Sequence, residues 1–141
     1  MLQRVQSIWL LLAAAFAATT YKFPFYSGHM ITDAATNATT YTDLNATTTI
    51  WLSIITGLVG VIAFVNIFLF DNRKLQLKLC YLGIFLTVVL LILYFLEIKQ
   101  FTQVNIALWV IFYFAILGFY ILAARGIWKD EKLIKSLNRL R

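Results

Sequence analysis

The sequence predicts an all-α membrane protein: an antiparallel bundle of four transmembrane helices, with a polar outer loop and a cytoplasmic amphipathic C-terminal helix. The first observation behind this prediction is composition. Of 141 residues, 62% are hydrophobic and 13% are charged, against roughly 25% charged in soluble domains. A water-soluble fold of this length could not bury so much apolar surface, so we expect the chain to lie in lipid. The other two observations are the spacing of the apolar runs and the distribution of Lys and Arg.

Four apolar runs have the length of membrane-spanning helices. Each is close to the ~20 residues that a helix needs to cross a hydrocarbon layer of about 30 Å. Helices satisfy their own backbone hydrogen bonds, which lipid cannot do. We therefore predict one membrane domain over residues 1–141, with an outer loop at 27–48 and a tail at 126–141. The predicted helices cover about residues 5–25, 49–70, 77–96 and 104–125.

The first run also has features of a signal peptide. It begins with one Arg, continues with an apolar stretch and carries small residues at Ala15 and Ala17. Its apolar character nevertheless continues past that point, through Tyr21, Phe23 and Phe25. We therefore interpret it as a retained helix.

The outer loop is rich in Thr and Asn, and it contains no Lys or Arg. Thr favours extended backbone, so a small β-hairpin over this loop is one expectation and a plain polar loop is the other. The loop repeats "NATT" at 37–40 and 45–48. Both Asn-Ala-Thr triplets fit the acceptor pattern for N-glycosylation.

Lys and Arg are distributed unequally between the two ends of the predicted bundle. One end carries ten basic and three acidic residues, and the other carries two basic and three acidic residues. Because cytoplasmic segments are enriched in Lys and Arg, both termini are predicted to be cytoplasmic. The ten basic residues of that end are Arg4, Arg73, Lys74, Lys78, Arg125, Lys129, Lys132, Lys135, Arg139 and Arg141.

The tail, which ends in "WKDEKLIKSLNRLR", has an amphipathic helical pattern. Four apolar residues share one stripe at helical spacing, and a Glu131–Lys135 pair at i,i+4 fits the polar side. This pattern favours a helix lying on an anionic leaflet, with Trp128 among the headgroups, and docking on a protein partner is the alternative. The stripe consists of Leu133, Ile134, Leu137 and Leu140. Residues predicted to contact lipid or a partner are Arg4, Trp128, Lys129, Lys132, Leu133, Leu137, Arg139 and Arg141.

Small residues in the second run, Gly57, Gly60 and Ala63, share roughly one helix face. Small faces let helices approach closely, so we predict helix packing there. Asn66, deep in the same run, is expected to hydrogen-bond a neighbouring helix. The lone Cys80 is interpreted as an inert core thiol, since a catalytic thiol needs a neighbouring base.

The sequence carries no recognised catalytic, metal-binding or cofactor-binding motif. We therefore expect no catalytic residue, no metal and no cofactor. We expect no nucleic-acid partner, because the aromatic residues lie inside the apolar runs rather than among the basic residues.

The two ends of the chain carry motifs that resemble a known family. A Gln-Arg-x-Gln opening and a Lys-Asp-Glu…Arg-Leu-Arg close are similar to those of small four-helix inner-membrane proteins of Bacteroidota, a family of unknown function. Ile127 and Trp128 interrupt the basic run, and Asn138 replaces an expected Asp. The resemblance implies a bacterial inner membrane, where Asn-Ala-Thr triplets are not glycosylated, and it implies no activity. Matching positions are Gln3, Arg4, Gln6, Lys129, Asp130, Glu131, Ser136, Arg139, Leu140 and Arg141.

Three functions are compatible with these features. The first, which we favour, is a non-catalytic accessory subunit or assembly factor that binds a larger inner-membrane complex through its helices and tail. The second is a small transporter or channel formed by self-association, with Asn66 and Glu97 on its polar pathway. The third is a lipid-directed enzyme with His29 or Glu97 as its base.

The Lys and Arg distribution predicts the topology directly. Green fluorescent protein fused to either terminus should fluoresce, because both fusions fold in the cytoplasm. Alkaline phosphatase inserted after Thr39 should be active, because that loop lies outside. Alkaline phosphatase fused to either terminus should be inactive. Activity of such a fusion at one terminus, with a fluorescent fusion at the other, would contradict the prediction.

Overall fold

The computed structural model describes residues 2–33, 38–69, 72–99 and 105–138. Within these ranges the chain forms four helices and three strands, which largely follow the predicted apolar runs and the outer loop. In chain order they are α1 (Leu2–Thr19), β1 (Tyr26–Asp33), β2 (Ala38–Leu44), α2 (Ile50–Phe68), α3 (Arg73–Ile98), β3 (Asn105–Ile106) and α4 (Val110–Asn138).

The four helices pack in a ring, with α1 between α4 and α2, and α3 between α2 and α4. Neighbouring helices are antiparallel, since the start of α1 lies beside the end of α4. The Tyr113 hydroxyl near the start of α4 donates a 3.1 Å hydrogen bond to the Phe23 carbonyl just after α1. The bundle therefore has a terminal end, where the chain begins and finishes, and a sheet end, where the strands lie.

Three helices, α2, α3 and α4, are long and apolar enough to cross a membrane. The apolar part of α1, Val5–Thr19, is shorter. The predicted first span of 5–25 is thus too long, because the helix ends at Thr19. The hydroxyls of Thr19 and Thr20 bond back to the carbonyls of Phe16 and Ala17 at 2.7 Å, and Pro24, which lacks an N–H donor, follows in the turn.

The outer loop forms a β-hairpin, so the hairpin expectation is confirmed over the plain loop, and the fold is not purely α-helical. Strand β1 pairs antiparallel with β2, and Tyr26 lies opposite Leu44. The short strand β3 from the α3–α4 connection pairs with the other edge of β1, which completes a three-stranded sheet of order β2-β1-β3. The sequence did not predict β3, because two residues are too few to show a strand pattern.

The roots of the hairpin seal the sheet end of the bundle. Phe25, Tyr26 and Leu44 are each 1% exposed and pack into a cluster with residues of α2, α3 and α4. Phe25 stacks on Tyr94 with ring centroids 4.7 Å apart, and it meets Tyr113 edge-on at 4.9 Å. The sheet is therefore anchored in the apolar core rather than resting on it.

Tyr120 crosses the centre of the bundle from α4. Its hydroxyl donates a 2.6 Å hydrogen bond to the Val59 carbonyl of α2, and its ring lies directly over Gly83 of α3. All of these positions are buried or lie in the core cluster. A tyrosine can reach across because Gly83 has no side chain to occupy the space.

The C-terminal tail is not a separate surface helix. α4 continues without interruption from Val110 to Asn138, which is about 43 Å at 1.5 Å per residue and exceeds a hydrocarbon layer of about 30 Å. The boundary predicted near 125 is therefore wrong: the helix continues through Gly126, no Pro follows, and the polar pattern keeps its helical period. The Glu131–Lys135 pair is confirmed, at 2.8 Å.

The close contact at Gly83 generates a prediction. Gly83→Ala should destabilise the protein by about 1–3 kcal/mol, because a methyl group there overlaps the Tyr120 ring and displaces its hydroxyl from Val59. Thermal unfolding in detergent measures the effect. Gly118→Ala is the matched control, since nothing lies within 4 Å of its added methyl group. It should leave stability equal or raise it by up to about 1 kcal/mol. Equal losses from both variants would contradict the packing described here.

Candidate functional site

A reciprocal pair of hydrogen bonds joins α2 and α3 next to the turn that connects them. The Asn66 side-chain amide donates to the Gln76 carbonyl at 3.2 Å, and the Gln76 side-chain amide donates to the Asn66 carbonyl at 3.2 Å. The Asn66 amide also lies 3.1 Å from Cys80 Sγ. All three residues are buried. Asn66 therefore links α2 to α3, and Cys80 is one of its contacts on α3.

The small residues of α2 fall into two environments. Ala63 is fully buried in the core cluster, whereas Gly57 and Gly60 face α1. A side-chain carbon at Gly57 would lie 3.0 Å from the Tyr21 hydroxyl, and one at Gly60 would lie 3.4 Å from the Ala17 methyl group. The glycines thus set the close approach of α1 to α2.

Between these helices runs a shallow apolar groove of about 270 Å³, here named the α1–α2 groove. Most of its floor consists of Ala and Gly, with Tyr21 toward the sheet end and Phe64 toward the terminal end. Thr56 also lines the groove, but it is fully buried and has Tyr94 of α3 as a side-chain neighbour. The groove is lined by Ala14, Ala17, Ala18, Tyr21, Thr56, Gly57, Gly60, Val61 and Phe64.

At the terminal end, the two sequence motifs of the chain termini meet. Gln6 Nε2 donates a 2.6 Å hydrogen bond to Asp130 Oδ2, and both side chains are buried, at 5% and 7% exposure. Gly126, one turn before Asp130, makes room for Gln6: a side-chain carbon there would lie 2.9 Å from Gln6 Cγ. A hydrogen bond to a buried carboxylate is of the stronger kind, so it fastens the start of α1 to α4.

Sequence reasoning did not predict this contact, although a signal for it exists. Gln6 continues the buried face of α1 formed by Leu10, Ala13 and Ala17, and Asp130 continues the buried face of α4 that includes Ile127. A polar residue on an otherwise apolar face needs an internal partner. The periodicity of each helix shows that Gln6 and Asp130 each need a polar partner. It does not show that they pair with each other, because that depends on which helices are neighbours.

The outward face of α4 near its end carries a large open cavity of about 690 Å³, here named the basic groove. Trp128 is 57% exposed, and Lys132 Nζ lies 5.8 Å from the centroid of its ring, a cation–π contact. The groove is lined by Arg125, Trp128, Lys129, Lys132, Leu133 and Ser136.

A smaller cavity of about 150 Å³ lies beside the basic groove, between α3 and α4, and is here named the apolar slot. It shares Arg125 and Trp128 with the basic groove. Its remaining lining is Tyr81, Ile84, Ile121 and Ala124.

Four of the residues predicted to contact lipid or a partner line the basic groove: Trp128, Lys129, Lys132 and Leu133. The predicted contacts through the side chains of Arg4, Leu137, Arg139 and Arg141 lie outside the part of the chain whose side chains the structure describes.

The two residues of the predicted transport pathway do not lie together. Asn66 is bonded to Gln76 in the first turn of α3, whereas Glu97 lies at the opposite end of that helix. At 1.5 Å per residue the two positions are about 31 Å apart along the axis. His29 lies in the sheet, where its ring meets Tyr41 at 5.6 Å. Within the described residues, no group of three or more His, Cys, Asp or Glu side chains is placed to hold a metal.

The Gln6–Asp130 bond generates a prediction. Gln6→Ala should destabilise the protein by about 1–3 kcal/mol, because it leaves the buried Asp130 carboxylate without its donor. A double-mutant cycle with Asp130→Ala should show coupling, since the second substitution removes a group already unpaired. Thermal unfolding of the four proteins in detergent gives the coupling energy, and Lys135→Gln serves as a surface control with little expected effect. Purely additive losses would show that the bond contributes nothing.

Comparison with known proteins identifies the family. The chain matches the family described as "Domain of unknown function (DUF4293)" over residues 2–140. It therefore belongs to that family, whose match covers nearly its whole length, including the opening motif and the closing motif up to Leu140. No curated protein and no solved structure matches the chain.

Proposed function

We propose that this DUF4293 protein is a non-catalytic accessory subunit or assembly factor of a larger membrane complex. The observation that carries the proposal is the α1–α2 groove. Small residues at a helix surface allow another helix to approach closely, which favours helix association in lipid. The groove supplies such residues from two helices at once, Ala14 and Ala18 from α1 and Gly57 and Gly60 from α2. A transmembrane helix of a partner subunit is the occupant that this shape fits.

The polar groups inside the bundle support a structural rather than a chemical role. Asn66, Gln76, Gln6 and Asp130 bond to one another across helices, and they do not converge on a common cavity. A transport pathway or a catalytic centre needs polar groups that face one space.

We place the protein in the bacterial inner membrane, with both termini cytoplasmic and the sheet outside. Three observations support this orientation. The start of α1 and the end of α4 share the terminal end of the bundle, ten of the twelve Lys and Arg residues belong to that end, and cytoplasmic segments are enriched in these residues. The four-crossing topology requires α1 to span as well, although its apolar part is shorter than the other three spans.

The proposal is tested by filling the groove. After gentle detergent extraction from its native membrane, the chain should migrate in an assembly larger than its own 16.2 kDa. Ala18→Phe should release it, because the ring occupies the space of the partner helix. Val65→Phe is the control, since it adds an exposed ring on α2 outside the groove. A photo-crosslinking residue at Val61 should label one partner, and the label should disappear in Ala18→Phe.

Two outcomes would overturn the proposal. One is recovery of the wild-type chain only as a free monomer under mild extraction. The other is an assembly that survives Ala18→Phe and Val65→Phe equally, with crosslinking from Val61 unchanged. Thermal unfolding of both variants shows whether the fold is retained, which is expected because Ala18 and Val65 are exposed.

A further inference from the structure

The basic groove and the apolar slot together have the shape and chemistry of one amphipathic site. They adjoin on α4 and share Arg125 and Trp128. The slot continues from there between the two helices, along the membrane-spanning parts of α3 and α4. The groove continues in the other direction, toward Lys132 and Ser136 near the end of α4. An occupant of both cavities therefore needs an apolar part and an anionic part.

The apolar slot fits a hydrocarbon chain. Its walls are Tyr81 and Ile84 from α3 and Ile121 and Ala124 from α4, and its lining is almost wholly apolar. Ala124 is buried and small, so the two helices leave a shallow trough at that level. An unbranched hydrocarbon chain makes the most dispersion contacts in such a trough, because it can lie along the helices and fill the gap between their side chains.

The basic groove fits a phosphate group. Arg125, Lys129 and Lys132 line it, and its described lining residues include no carboxylate. The two acidic residues of this helix segment are engaged elsewhere: Asp130 accepts from Gln6 at 2.6 Å, and Glu131 pairs with Lys135 at 2.8 Å. Within the part of the chain that the structure describes, the groove thus holds three cations that form no salt bridge. Arg and Lys side chains bind phosphate oxygens, the former through its planar fork and the latter as a point charge.

We propose that the composite site binds one anionic phospholipid, with its phosphate in the basic groove and an acyl chain in the apolar slot. Trp128, which lines both cavities, lies where indole rings favour the headgroup zone. An acidic peptide would satisfy the cations but leave the slot unused, so the slot favours a lipid. The site lies between α3 and α4, on the opposite side of the helix ring from the α1–α2 groove. It is therefore independent of the proposed partner interface.

Native mass spectrometry of the purified, delipidated full-length protein tests this site. Titration with phosphatidylglycerol should give one tightly bound lipid per chain, and phosphatidylcholine should bind more weakly because its headgroup has no net charge. Lys129→Gln should weaken phosphatidylglycerol binding about fivefold, which corresponds to about 1 kcal/mol per basic group. Lys78→Gln is the matched control, because it removes one positive charge from an exposed position of α3 at the same end of the bundle and lines neither cavity. It should change binding less than about twofold.

A second variant tests the slot separately from the charge. Ile121→Trp adds bulk at a 40% exposed position and should weaken phosphatidylglycerol binding while leaving all cations in place. Thermal unfolding with and without lipid reports both folding and binding, since a ligand of the native state raises the unfolding temperature.

The following outcomes would overturn the proposal. Equal binding of phosphatidylglycerol and phosphatidylcholine would show that the cations do not select the headgroup. Equal losses from Lys129→Gln and Lys78→Gln would show a general surface-charge effect. Displacement of the lipid by inorganic phosphate alone would indicate an anion site without an acyl chain, and displacement by a Glu-rich peptide would indicate a protein-docking surface. Ala18→Phe should leave lipid binding unchanged, so failure here and failure of the partner proposal are distinguishable.

Discussion

The need to satisfy polar groups inside an apolar medium is the constraint on which this structure depends. Lipid offers no hydrogen bonds, so buried polar side chains have to find partners within the protein. Asn66 and Gln76 bond reciprocally between α2 and α3, and Gln6 reaches Asp130 between α1 and α4. Each of these bonds joins two helices that are neighbours in the ring, and apolar packing fills the remaining space.

The close approach of the helices is also a consequence of the apolar medium. Dispersion contacts between helices replace the hydrophobic effect in lipid, and they need surfaces that fit. Gly83 makes room for the Tyr120 ring, and Gly126 makes room for Gln6. At each of these positions a glycine on one helix accepts a long side chain from its neighbour. The bundle is therefore specified by a few paired large and small residues as much as by its general hydrophobicity.

The two proposed surfaces divide the outside of the bundle. The α1–α2 groove is apolar and small-sided, and it suits a protein helix. The composite site between α3 and α4 is apolar at one end and cationic at the other, and it suits a phospholipid. In this arrangement a partner helix and a lipid would occupy opposite sides of the ring of helices.

Local pattern was sufficient to predict that four helices exist and that Glu131 pairs with Lys135, because length, apolar periodicity and i,i+4 spacing are properties of a single segment. It placed the end of α1 too late and a boundary near 125 where α4 continues. It also missed contacts between distant segments: β3 has only two residues, and it pairs with an edge of β1. The basic groove lay within the predicted tail, but its junction with the apolar slot needed α3 beside α4. Gln6 and Asp130, 124 positions apart, became partners only through the order of helices in the ring, since a hydrogen bond depends on proximity in space and not on spacing along the chain.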